Sequence, residues 1–495
     1  MVTDDIGRFE TDDLERVQGI HWIMSDDPLR PLSIEIFMRD YYEPKLLPRL
    51  LAGEKLPPIK SLAQLNRVQP EVKIIDIKSN PTSPEMVSVV VEIGKAKGEY
   101  VQGNKKIIWE TGVYDLMLFR DRQLVGYRPA SGGEIKIDSK DGKASITFDT
   151  IKIPRNQGLK EVEFSAYAFN VDRVKSKTDR KTFKIPGGFA PVKGKAYIIS
   201  VGVNAYENPQ WDLQYAANDA EIIRTTLVDK LQNNRDFGEI IAISLISGHK
   251  IESGKRVITE NRATKLNFKA VLDLLAGKKV DPEILEVIPN AERIREANPE
   301  DLVFISFSSH GDTDNRGNFY FFPYDIGQNS YRNTPLKSFS NRCISSDELS
   351  LWLRDVDAGE IVMIVDACHS AATVEAEGFK PGPMGSRGLG QLAYNKGMRI
   401  LAASQADKMA LESRIVEHGL LTYALILDGI ESGQADFKPK DKSITLSEWI
   451  QYGINHVPVL CRKVIKSEDI RRYGFQQPAL FDFTKKKNDI ILHSL

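Results

Sequence analysis

Residues 302–310 read LVFISFSSH and residues 361–369 read IVMIVDACH. Each is a short, near-continuous run of apolar and small residues that stops on a residue able to do chemistry. Runs of this kind, without the polar alternation of a half-exposed strand, indicate strands buried on both faces of a parallel sheet covered by helices. In such sheets the reactive side chains lie just beyond the carboxyl ends of the strands. If the two strands are parallel neighbours, His310 and Cys368 emerge at one sheet edge although 58 positions separate them.

The residue types fit one chemistry. A thiol at its ordinary pKa is mostly protonated near neutrality, so a hydrolytic cysteine needs an adjacent base, and His310 is placed to supply it. Gly311 has no side chain, so its N–H and that of Cys368 can approach a substrate carbonyl as an oxyanion hole. Taken singly, a strand-end cysteine is an ordinary buried thiol and a His-Gly pair an ordinary turn. Two strand ends carrying a histidine and then a cysteine make the catalytic reading the better one. His369 adjoins Cys368, but consecutive side chains of a strand point to opposite faces. Cys343 (SNRCISS) falls in a polar loop, and Cys461 lies beside Arg462 and Lys463; neither has a strand-end histidine. No histidine makes metal-ligand spacing with a cysteine, so no metal is expected in the site.

Working outward, residues 195–495 alternate strands and amphipathic helices: AYIISVGV, NDAEIIRTTLVDKL, IIAISLIS, TKLNFKAVLDLLAG, SSDELSLWLRDV, MRILAAS and GLLTYALILDGI join the two deciding strands. This pattern predicts an α/β sandwich with a mainly parallel sheet between helices. A Gly-, Pro- and Lys-rich stretch, KIPGGFAPVKGK, marks a linker, placed at 187–194. Before it, residues 69–186 switch to a period of two, with about seven short strands and no helical pattern, which predicts an all-β immunoglobulin-like sandwich. Residues 1–68 read as a helical and irregular segment, broken by Pro44 and Pro48, that packs on a neighbour.

The chain has 495 residues, 41% apolar and 27% charged, with 67 Lys plus Arg against 68 Asp plus Glu and a net charge of -1. That length calls for two or three folded units, and the balance removes bulk attraction to nucleic acid or to a membrane surface. Three cysteines are too few for a disulfide framework and fit a reducing compartment. The acidic, polar start has no apolar signal-peptide core, and no apolar run reaches the roughly 20 residues of a membrane span. A soluble, cytoplasmic protein is expected. A phosphate-cradling Gly-rich loop and a zinc-binding cysteine pair are both missing from the sequence, which leaves nucleotide-driven chemistry and base deamination unsupported.

Four pieces in order, YIISVGVNAYENPQWDLQYAANDA, SFSSHGD with FYFFPYDI, IVDACHSA, and EHGLLTYALILDGI, resemble the caspase-like superfamily, and within it the metacaspases and their bacterial relatives. The resemblance covers roughly residues 194–480 and implies a peptidase fold with a His–Cys dyad; the 58-position spacing is near the ~50 residues of caspase-type sequences. The stretch HWIMSDDPLRPLSIEIFMRDYYEPKLLPRLLAGE and the strands after it resemble the segment joining a WD-repeat propeller to the peptidase in some bacterial caspase-like proteins; these 495 residues contain no propeller.

The resemblance also implies a specificity pocket. The residue two before the nucleophile lines it, and here that residue is Asp366, where caspases that cut after Asp carry glutamine. A partly desolvated carboxylate repels acidic side chains and favours Arg or Lys. Asp219, in YAANDA, matches a second acidic pocket position, and equally suits a first-turn helix Asp. Metacaspases commonly follow Cys-His-Ser with Gly, whereas Ala371 and Ala372 stand here. Residues 374–396, with five glycines and two prolines, read as a mobile loop near the site, and Arg387 is the candidate for self-cleavage or for shaping the groove. Some metacaspases require Ca2+; Asp312 with Asp314, or Asp355 with Asp357, could bind it or simply be solvated loop carboxylates.

The expected function is therefore a cysteine endopeptidase acting on protein or peptide substrates after basic residues, without a required cofactor. Its regulation would come from proteolysis or a protein partner of the N-terminal region, in a bacterial stress, defence or death pathway. Two readings stay open: a related Cys–His hydrolase of separase- or legumain-like preference, and a catalytically silent scaffold.

Overall fold

The computed structural model describes all residues except 12–16, 18, 45, 52, 54–55, 103–104, 156–158, 188–189, 315, 332–333, 370–386, 404–411, 414–415, 468–469, 471–474, 485–488 and 495. The chain divides into two compact units, one of residues 1–47 with 56–192 and one of 48–55 with 193–495.

In the first unit seven strands form two antiparallel sheets: β1 (Glu71–Ser79), β2 (Met86–Gly94), β3 (Tyr114–Arg120), β4 (Gln123–Arg128), β5 (Lys143–Lys152), β6 (Glu161–Phe169) and β7 (Asp179–Lys184). The sheet orders are β5-β2-β1 and β4-β3-β6-β7. Val87, Val89, Val91 and Ile93, every second residue of β2, share one core with Leu116 and Leu118 of β3 and Val162, Phe164 and Ala166 of β6. The two-residue period thus packs one face of each sheet on the other, as in a β-sandwich. The start of the chain differs from the expectation of helical and irregular structure. His21–Met24 pairs antiparallel with Asp27–Ser33 before short helical pieces from Ile34 onward. Its aromatic residues supply the reason: Trp22 packs edge-on against Phe9 and Phe37, with ring centroids 5.9 and 6.0 Å apart.

The second unit contains, in order, β8 (Gly194–Val203), α1 (Ala216–Leu231), β9 (Phe237–Glu252), β10 (Lys255–Asn261), α2 (Lys265–Leu275), β11 (Leu302–Thr313), β12 (Phe319–Phe321), α3 (Ser346–Leu353), β13 (Glu360–His369), α4 (Arg387–Lys396), β14 (Arg399–Ala402), β15 (His418–Gly419), α5 (Leu420–Tyr423), α6 (Leu446–Val464) and β16 (Ala479–Asp482). The central sheet runs β10-β9-β8-β11-β13-β14-β16. Its inner pairs are parallel, and β10 and β16 are antiparallel edges, so the sheet is mixed rather than uniformly parallel.

Alternation decides the layers. Tyr197, Ile199 and Val201 of β8, with Val303, Ile305 and Phe307 of β11, build one apolar layer with α2 and α3. Ala196 and Ile198, with Leu302, Phe304, Val362 and Ile364, build the other against α1, α5 and α6. Capping boxes start α3 (Ser345 with Glu348) and α6 (Thr445 with Glu448), each contributing about 1 kcal/mol. The end of the segment expected to be a loop is instead the helix α4: Leu389, Leu392 and Ala393 recur at helical spacing and are fully buried, and Lys396 donates to the carbonyls of Arg354 and Val356. Among the described residues no helix is long and apolar enough to cross a membrane.

Candidate functional site

The second apolar layer turns polar toward the carboxyl ends of the strands. On β11 that face carries Leu302, Phe304, Ser306 and Ser308, and on β13 Val362, Ile364 and Asp366; the positions of His310 and Cys368 follow at the strand ends. The two strands are parallel and in register, with Ser308 opposite Asp366, His310 opposite Cys368 and Gly311 opposite His369. Neighbouring strands lie about 4.8 Å apart, so the histidine and cysteine positions adjoin at the end of the sheet. The Ser306 and Ser308 hydroxyls, buried beneath them, make no hydrogen bond among the described residues.

His310 is 4% exposed and held from two directions. Its backbone N–H donates to the Tyr206 hydroxyl at 2.9 Å, and its ring Nε2 lies 2.8 Å from the Trp211 carbonyl oxygen. A carbonyl only accepts, so Nε2 carries a proton and donates it to the Trp211 oxygen. The rings of Tyr206 and Trp211 flank the imidazole at 5.5 and 5.4 Å between centroids. Gly311 has a packing reason to lack a side chain: an added Cβ would fall 2.4 Å from the Phe319 ring.

Asp219 sits in the first turn of α1 but does not cap it. Its position falls on the buried stripe Ala216, Asp219, Ala220, Ile223, Leu227, Leu231, so its carboxylate enters the interior and must be satisfied there. His418 Nδ1 donates to Oδ1 at 2.8 Å, and the Gly419 N–H donates to the same carboxylate at 3.1 Å. Burial pushes the Asp219 carboxyl above its ordinary range, and the hydrogen bond from His418 pulls the other way. Asp366, 9% exposed, accepts from the Thr422 hydroxyl at 3.3 Å. A Cβ at Gly419 would lie 2.5 Å from Asp366 Oδ2 and 3.0 Å from Asp219 Oδ2. The two carboxylates therefore approach the same side of Gly419, where only a residue without a side chain fits.

Asp366, Asp219, His310 and the backbone of Cys368 thus converge at one end of the sheet. The sequence assigned no role to His418 or Gly419, which place Asp219, or to the Trp211 carbonyl, which orients His310. Two further expectations stand apart. The side chain of Arg387, first residue of α4, lies outside the described residues, as do residues 374–386 of the expected loop, Ala371 and Ala372. Asp314 accepts backbone N–H groups of Arg316 and Asn318, and Asp355 pairs with Lys278 at 2.8 Å; among the described residues no three His, Cys, Asp or Glu side chains group as a metal site. Cys343 lies in the loop before α3 and is fully buried, as is Cys461, and burial pushes both thiols up, Cys343 well above its ordinary value.

An α/β/α sandwich whose mixed sheet gathers a histidine, a cysteine position and carboxylates at its strand ends defines a class of α/β proteins with strand-end sites. Residues 193–438 match the family model of the caspase domain. The C-terminal part of this chain is a domain of the caspase-like superfamily, a family of cysteine-type peptidases. Among the 29 chains of solved structures that match, one titled "structure of pro-sf-caspase-1" is 9% identical, covering 61% of this chain and 90% of its own, at a TM-score of 0.29. No curated protein matches the chain.

Proposed function

We propose that the C-terminal domain is a cysteine endopeptidase that cleaves proteins after Arg or Lys, with Cys368 as nucleophile and His310 as general base. The observation that carries this reading is the register of the two central strands, in which His310 is the partner of Cys368 and Ser308 the partner of Asp366.

In the proposed reaction His310 Nδ1 accepts the thiol proton while the Trp211 carbonyl steadies the imidazolium through Nε2–H. The thiolate attacks the scissile carbonyl carbon, and the N–H groups of Gly311 and Cys368 receive the developing oxyanion. Collapse breaks the C–N bond, the imidazolium returns its proton to the leaving amine, and a thioester remains on Cys368. Water, deprotonated by His310, hydrolyses that thioester and regenerates the thiol. No step needs a metal; calcium enters as an assay variable.

Asp366 and Asp219 supply the specificity. Two buried carboxylates on the same side of Gly419 are mutually repulsive and favour a guanidinium or ammonium group between them. The Ser308 hydroxyl, across the register from Asp366, offers a further acceptor to a forked head group. Arg387 is the proposed processing position. The order β5-β2-β1 and β4-β3-β6-β7 supports an immunoglobulin-like type for the first unit, which we assign to binding a regulatory protein partner in a bacterial, cytoplasmic pathway.

Turnover of reporter peptides ending in Arg, Lys, Asp and Asn tests the reading, with wild type, Cys368→Ala, His310→Ala and Asp366→Ala, with and without calcium. Activity on Arg and Lys, lost in the first two variants and less selective in the third, is expected. Cleavage after Asp or Asn instead would transfer the domain to another branch of Cys–His hydrolases. Turnover by Cys368→Ala would end the proposal.

A further inference from the structure

The loop that orients His310 is itself tied to a distant hairpin. Strands β9 and β10 are joined by a two-residue turn, Ser253-Gly254, with φ of 50° and 78° and Glu252 paired with Lys255. Positive φ at both central residues is the tight turn that matches strand twist, so the register of β10 is set by the turn. Alternation then aims Arg256 inward from β10 while Lys255 and Val257 face solvent.

Arg256 reaches the segment that holds the histidine. Its Nε and Nη2 donate to the two oxygens of Asp212, both at 2.6 Å, and Nη2 also donates to the Tyr206 carbonyl at 2.7 Å. Asp212 closes the ring by accepting the Tyr206 N–H at 3.0 Å. These are the residues that grip His310. Tyr206 supplies the hydroxyl that takes the His310 N–H, and the Trp211 carbonyl belongs to the peptide unit whose N–H is that of Asp212. That N–H donates to the Pro209 carbonyl at 3.1 Å. A bidentate guanidinium–carboxylate pair fixes direction as well as distance, so it sets the plane of the peptide that points at Nε2.

From this geometry we infer that Arg256, through Asp212, is a positioning residue for the His310 imidazole. Arg256 touches neither substrate nor the reacting atoms; it holds the Tyr206–Asp212 loop so that the Trp211 carbonyl keeps His310 in the Nε2-protonated form. The inference rests on the His310–Cys368 reading and extends it to an arginine 54 positions before the histidine.

The test follows kcat and KM on an Arg reporter, normalised to the active sites titrated in each preparation, together with the rate of Cys368 alkylation by iodoacetamide mapped by mass spectrometry. Arg256→Gln is expected to lower kcat by roughly 10- to 100-fold with KM changed less than about threefold, and to slow alkylation. Arg256→Lys, which keeps the charge but loses the fork, should recover part of both. Arg256→Gln combined with Asp212→Asn should be no worse than either alone, since both break one clamp. Lys255→Ala, on the outer face of the same hairpin, is the folding control and should behave as wild type. Unchanged kcat and alkylation in folded Arg256→Gln, with alkylation still lost in His310→Ala, would overturn the inference and leave the dyad standing. Alkylation indifferent to His310→Ala would remove both together.

Discussion

The two corners of the site are built on opposite principles. At the histidine corner one histidine is gripped by the Trp211 carbonyl at its ring and the Tyr206 hydroxyl at its backbone, with aromatic rings on either side. At the acidic corner two buried carboxylates approach Gly419 from one side and accept hydrogen bonds from a histidine, an amide and a hydroxyl. The first corner fixes an orientation, which a reaction needs at every turnover. The second gathers buried carboxylates, which in the proposed function receive a cationic substrate side chain. Under the proposed function, substitutions should separate them cleanly: one corner would govern whether a bond is cut, the other which bond.

The largest effect belongs to the histidine corner. His310→Ala and Cys368→Ala should each lower kcat by at least roughly 10³-fold on every reporter, and the double variant should be no worse than the singles, because residues that act as a unit are not additive. Active-site titration beside steady-state rates measures this. A residual rate in His310→Ala within tenfold of wild type would mean that another base serves the thiol.

The acidic corner should break differently. Gly419→Ala puts a methyl where the two carboxylate oxygens now converge, at 2.5 and 3.0 Å, and at least one of them must turn away. The expected loss is on the order of 100-fold in kcat/KM for Arg reporters, as for a misplaced binding group, while the rate of Cys368 alkylation stays within about twofold. Asp366→Asn keeps the shape and removes a charge, so it should cost roughly 10- to 100-fold in preference for Arg over an uncharged residue. If either variant slowed alkylation as strongly as peptide cleavage, the separation of the two corners would be lost.

The same contrast explains what the sequence disclosed. Two apolar runs ending in His310 and Cys368 are local patterns, and the periods of two and of helical spacing separate the β-rich first unit from the α/β second one. The parts that escaped are contacts without a local signature. The partner of His310 is a backbone carbonyl, which any residue could supply. The pairing of Asp219 with His418 joins positions 199 apart, and nothing around His418 in VEHGLL marks it as facing a buried acid. The helix α4 was hidden by the glycines that precede and interrupt it, although its Leu389, Leu392 and Ala393 spacing was legible. The hairpin near residue 21 was hidden because its aromatic residues serve packing rather than a regular alternation.

The smallest predicted effect is on stability, and it tests whether the acidic corner really stores unfavourable charge. Burial holds the Asp219 carboxyl above its ordinary range in the folded protein despite the hydrogen bond from His418. A raised folded pKa means that the native state binds the proton more tightly than the unfolded chain. Its stabilising contribution is then complete below the ordinary carboxylate pKa of about 4 and is lost as pH rises through the folded value. Asp219→Asn cannot ionise and so escapes that loss, though it keeps an oxygen to accept the Gly419 N–H. The melting temperature of the variant minus that of wild type should increase from pH 4 to pH 7 by a few degrees, while cleavage after Arg weakens. A difference that stays flat or falls over that range would show that His418 and Gly419 balance the carboxylate fully. The acidic corner would then be as settled as the histidine corner, and the preference for a basic side chain would have to come from Asp366 alone.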